Sequence, residues 1–149
     1  MTLSDQQLDR YARHIVLRDI GGSGQSRLLQ SHVLLIGAGG IGCPAIQYLA
    51  AAGVGTISAV DDDIISLSNL QRQPLFTDAD IGARKAVVAA NAAQRINPNV
   101  EAIAVAQRLR REDGLRADVE AWLQAEPRRP ETVSADDWLD WEQQKHARL

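Results

Sequence analysis

Four apolar residues, Val33-Leu34-Leu35-Ile36, run directly into Gly37-Ala38-Gly39-Gly40-Ile41-Gly42, and no other stretch narrows the fold as much. A short continuous apolar run is the signature of a strand covered on both faces. Gly37, Gly39 and Gly42 then fit G-x-G-x-x-G, which serves a tight turn from strand to helix. The following segment reads as a helix through Ala52, ended by Gly53-Val54-Gly55. Thr56–Val60 is a second strand finishing at Asp61. A helix from about Asp80 to Arg95 closes at Asn97-Pro98-Asn99, and Val100–Val105 is a third strand. Strands alternating with helices predict an α/β fold with a parallel, Rossmann-like sheet of about three strands in the order 3-2-1. The first strand then lies at an exposed edge.

Upstream, Ser4 and Gln7 have the spacing of a reciprocal helix cap. Leu8, Tyr11 and Ile15 fall on one helical face. Gly21-Gly22-Ser23-Gly24 reads as a loop and Gln25 to Gln30 as a short helix. Downstream the chain changes character. Residues 1–107 hold 17 of the 35 charged residues, and the remaining 42 residues hold 18, together with all three tryptophans, Trp122, Trp138 and Trp141. The expected division is therefore a nucleotide-binding half-domain over 1–107 and a charged helical tail over 108–149. In that tail the sequence suggests helices over Asp113–Ala125 and from Ser134, with the tryptophans packed on the sheet.

The site chemistry is read from residues that follow the strands. Glycine lets backbone approach phosphate, and helix N-terminal N–H groups attract negative charge; alternatively the glycines only permit close helix–strand packing. Asp61, 19 residues after Gly42, is placed to accept ribose hydroxyls, although Asp61-Asp62-Asp63 is also a plausible solvated turn. Arg72 and Lys85 add a planar fork and a point charge suited to phosphate oxygens. With Ser68, Asn69 and Gln73 they suit a triphosphate better than a dinucleotide. Cys43, at the start of the helix after the turn, reads as a buried packing residue. His14, His32 and His146 show no metal-ligand spacing, and one cysteine excludes a cysteine-rich zinc site.

The segments Arg10-Tyr11-Ala12-Arg13-His14-Ile15, Gly24-Gln25, Val33 to Gly42 and Tyr48 to Gly55 resemble the ThiF/MoeB adenylyltransferases, relatives of the ubiquitin-activating enzymes. So do Asp61-x-Asp63, Ser68-Asn69-Leu70-Gln71-Arg72-Gln73, Gly82-x-x-Lys85 and Ile96-Asn97-Pro98. The resemblance covers roughly residues 8–108. It implies ATP-dependent adenylation of the C-terminal glycine of a ubiquitin-like sulfur-carrier protein, in thiamine or molybdenum-cofactor synthesis, with Mg2+ as companion of ATP. By the resemblance Gly40 lies under the nucleotide and Asp61 holds the ribose. Asn69, Arg72 and Lys85 contact phosphates, and Arg13 reaches the partner's ATP across a homodimer.

The resemblance also implies a later D-x-x-D-N stretch, whose Asp handles the metal, and paired C-x-x-C zinc ligands; this sequence contains neither. The expectation is a truncated and impaired adenylyltransferase. Two alternatives stand beside it: a non-catalytic ATP-binding or dimerisation module, and a dinucleotide-dependent oxidoreductase, against which Arg72 and Lys85 argue. A net charge of −3 gives no electrostatic reason to expect nucleic acid or an anionic membrane as partner. No secretory leader or spanning apolar run is visible, so the expected setting is cytoplasmic.

Overall fold

Asn97 and Tyr11 lie 86 residues apart in the chain yet share a buried hydrogen bond, and that contact ties the N-terminal helices to the segment just before the last strand. The computed structural model describes residues 3–108, which belong to one compact unit, Met1–Arg108. The expected tail helices and the packing of Trp122, Trp138 and Trp141 fall outside the described residues.

Helices α1 (Asp5–Arg10), α2 (Ala12–Ile15) and α3 (Gly21–Gln30) precede β1 (His32–Ile36). Then follow α4 (Gly42–Ala52), β2 (Thr56–Val60), α5 (Lys85–Ile96) and β3 (Glu101–Val105). The three strands form one parallel sheet in the order β1-β2-β3. Their register pairs His32 with Thr56 and Thr56 with Glu101. Helices α4 and α5 pack on each other and on the sheet. Between them lie Cys43, Ile46, Ala50, Ile57, Ala59, Phe76, Ala89 and Ala93. The run of alanines on α5 keeps the helix narrow on this side, so its backbone comes close to the sheet.

The Ser4 cap forms as read: Ser4 Oγ accepts from the Gln7 N–H at 3.3 Å, and the Ser4 N–H donates to Gln7 Oε1 at 3.0 Å. Gly53 ends α4 in the left-handed region (φ 84°), where a Cβ would also stand 2.6 Å from the Tyr11 ring.

Three local readings need correction. Strand β1 is not covered like a central strand: its residues are half-buried and Ile36 is exposed, whereas all five residues of β2 are buried. An apolar run reports how its faces are covered, and burial also depends on having a neighbour along both edges. Second, Gly21–Gly24 is helical. The glycine-rich turn is extended into α3 because fully buried Gln25 is anchored from both ends, its Nε2 donating to Ala52 O and its Oε1 bonding His14 Nδ1, each at 2.9 Å. Third, α5 starts at Lys85 rather than near Asp80. Thr77 and Asp80 cap each other around a single 3-10 turn, and Gly82 (φ 89°) ends it. This correction places Lys85 at the first position of a helix.

Among the described residues no helix is long and apolar enough to cross a membrane.

Candidate nucleotide site at the carboxyl end of the sheet

The chain leaves β1 and β2 at the same end of the sheet, where ligands of open parallel α/β sheets bind. Gly37 opens the turn after β1 with φ 89°, and its N–H donates to Val60 O at 2.7 Å. A Cβ on Gly42 would overlap the Gly37 carbonyl oxygen, so the turn folds back on itself too tightly for any side chain there. At Gly39, in contrast, a Cβ would meet nothing within 4 Å. That backbone faces open space, as the approach of a ligand requires.

Asp61 follows β2 and binds this turn directly. Its Oδ2 accepts the Ala38 N–H at 2.7 Å and its Oδ1 accepts the Asp63 N–H at 2.8 Å. The carboxylate thus fixes the glycine turn as well as its own loop, and its remaining lone pairs are the ones available to a ribose. Cys43 lies beneath the turn, fully buried, with Sγ 3.3 Å from Ala38 O. Burial pushes its thiol up to about 11, against smaller lowering effects from the Leu75 N–H and the Lys85 charge. The thiol is held protonated, as suits a packing residue.

The two cations sit differently. Lys85 is buried, and its Nζ pairs with Asp63 Oδ2 at 2.8 Å, while its backbone N–H donates to Asp63 O at 3.1 Å. Arg72 is exposed. Its Nη1 donates to Ser68 O at 2.8 Å, and its aliphatic stem lies 3.6 Å from where a Gly40 side chain would begin. The guanidinium is therefore carried on the loop that borders the turn.

Residues of that loop largely brace each other. Asn69 Oδ1 accepts the Ser66 N–H at 3.1 Å, and the Ser66 and Ser68 hydroxyls are 3.0 Å apart. Gln73 is buried, and its Oε1 has no hydrogen-bond partner among the described residues. Arg13 is exposed on α2, which packs mainly on α3 and α1. The structure thus joins Gly37, Gly42, Asp61 and Lys85 through one chain of contacts and sets Arg72 against Gly40. It does not bring Arg13 to them.

Sequence reading missed Asp63 as the partner of Lys85. The spacing Asp61-x-Asp63 carried a hint, since residues two apart in extended backbone face the same side. It also missed that Tyr11, His14, Gln25, Gly53 and Asn97 form a separate structural set at the other end of α4.

A family model described as the ThiF family matches residues 11–125. The chain is 53% identical over 100 residues to the SAMP-activating enzyme E1 of Haloferax volcanii, covering 67% of this chain and 37% of that protein. It is 50% identical over 107 residues to the sulfur carrier protein ThiS adenylyltransferase of Escherichia coli, covering 72% and 43%. Against the Escherichia coli molybdopterin-synthase adenylyltransferase the figures are 52% over 98 residues, 66% and 39%. The chain therefore spans about two fifths of the length of these curated relatives. Among solved structures, the Escherichia coli tRNA N6-threonylcarbamoyladenosine dehydratase in complex with ATP superposes with a TM-score of 0.73 at 25% identity. That match covers 85% of this chain and 49% of the other.

Proposed function

Because the chain belongs to the ThiF family, we propose that its carboxyl-end site binds ATP and serves adenylation of the C-terminal carboxylate of a ubiquitin-like sulfur-carrier protein. The observation that carries this reading is the continuous contact from glycine turn to Asp61, Asp63 and Lys85, with Arg72 alongside. A ribose on Asp61 puts the phosphates over open Gly39 and the neighbouring Gly40, within the reach of Arg72 and the amino end of α5. Attack of a carboxylate on an α-phosphate brings two anions together, and preorganised cations lower that barrier.

The residues fit a magnesium ion only as a companion of the phosphates. The carboxylates of Asp61, Asp62 and Asp63 offer oxygens within 4.8 Å of one another. Asp61 accepts two N–H groups and Asp63 holds Lys85, so Asp62 is the carboxylate left to the metal. Bound there, it would neutralise phosphate charge.

Arg13 is assigned to the partner's nucleotide in a cytoplasmic homodimer. The second reading is an ATP-binding or dimerisation module without turnover, in which Lys85 stays paired with Asp63. Calorimetric titration of the 149-residue chain separates the possibilities. ATP should bind more tightly than NAD, and Arg72→Ala should weaken ATP about tenfold, the effect of losing one charge-assisted phosphate contact. Tighter binding of NAD would overturn the reading in favour of an oxidoreductase. ATP–pyrophosphate exchange with a sulfur carrier separates the two readings: brisk exchange would remove the second, and none despite ATP binding would remove the first.

A further inference from the structure

The lysine assigned to phosphate is already engaged. Its side chain is only 7% exposed, that of Asp63 is 67% exposed, and the two meet at 2.8 Å. Lys85 is also the first residue of α5, where the helix dipole disfavours a cation. A buried ammonium in that position requires a nearby anion, and Asp63 supplies it. We propose that Asp63 is a positioning residue that competes with polyphosphate for Lys85, so that carboxylate and phosphate oxygen exchange at Nζ on binding. This inference rests on the ATP reading given above.

Three observations favour exchange over a shared grip. Asp63 is exposed, so its carboxylate can turn into water at little cost, whereas Lys85 is held in place by packing and by its backbone bond to Asp63 O. The three carboxylates of Asp61, Asp62 and Asp63 are crowded within 4.8 Å, and a polyanion entering beside them is repelled by each one that stays. The contacts that shape the loop use the backbone N–H and carbonyl of Asp63, so its side chain is free to leave without unfolding the turn. The carboxylate tunes the site against polyphosphate and keeps the buried ammonium compensated in its absence.

The test uses the full chain and Asp63→Asn, which keeps shape and backbone and removes the charge. Lys85 and Lys145 are the only lysines, so reductive methylation followed by mass spectrometry reads each one separately. In Asp63→Asn, Lys85 should be methylated several-fold faster than in the native chain with Lys145 unchanged, and saturating ATP should restore its protection. Calorimetry should show ATP bound about three- to tenfold more tightly by Asp63→Asn, the range expected when one partly exposed charge is removed. AMP, which lacks the outer phosphates, should change less than twofold. Weaker ATP binding by Asp63→Asn would overturn the proposal, because it means that Asp63 and phosphate hold Lys85 together. Unchanged Lys85 labelling would overturn it as well. If ATP binds but ignores Asp63, this inference alone fails. If neither chain binds ATP while Lys85 labelling still follows Asp63, the nucleotide reading fails and the exchange falls with it.

Discussion

Replacing Asn97 by Ala should cost the fold about 3 kcal/mol and leave the site's intrinsic affinity for nucleotide unchanged. Asn97 is fully buried. Its Nδ2 donates to Tyr11 Oη and to Ala50 O, both at 2.8 Å, and its Oδ1 accepts from the Asn99 N–H and Nδ2, both at 3.1 Å. The two Nδ2 bonds contribute about 1 kcal/mol each. The Tyr11 hydroxyl, left buried without its donor, adds roughly another 1–2 kcal/mol. Ala50 O adds little, because the Gly53 N–H still donates to it at 3.1 Å. Tyr11→Phe removes only one of these bonds and should cost about 1 kcal/mol. In the double variant the two losses should fall short of their sum by about 2 kcal/mol, since both remove the same hydrogen bond and Phe leaves no hydroxyl to be orphaned. Urea denaturation followed by circular dichroism measures all three. For a unit of this size, 3 kcal/mol corresponds to a melting point lower by about 12–20 °C. The reasoning is refuted if Asn97→Ala costs no more than Tyr11→Phe, or if the two substitutions add independently. ATP titration well below the melting point should give native affinity, because the clamp lies at the opposite end of α4 from the glycine turn.

Gly42→Ala should act at the other end of the same helix. Its Cβ would overlap the Gly37 carbonyl, a backbone atom that can yield only if the turn moves, so a melting point within about 3 °C of native would contradict the geometry. Cys43, with its thiol pushed up to about 11 by burial, should resist iodoacetamide at pH 8 in the folded chain and react readily in denaturant. Rapid alkylation of the native protein would show that the floor beneath the glycine turn opens.

The parallel sheet, its strand order and the position of the turn were all legible in the residues of the chain. Each of these follows from short-range pattern: an apolar run, glycines at fixed spacing, and a left-handed stop at Gly53. The sequence also named Asp61, Arg72 and Lys85 as groups of the right chemistry in the right order. Tertiary structure decided what those groups touch. It also decided burial: all five residues of β2, paired with β1 on one edge and β3 on the other, are buried, whereas those of β1 are half-buried or exposed. Gln25 drew a glycine-rich segment into a helix through bonds to His14 and Ala52. Gly82 delayed α5 until Lys85, which set that ammonium beside Asp63. Local pattern reports which conformation each residue favours, whereas a pairing across 22 residues, such as Asp63 with Lys85, exists only once the sheet brings two chain segments to one end.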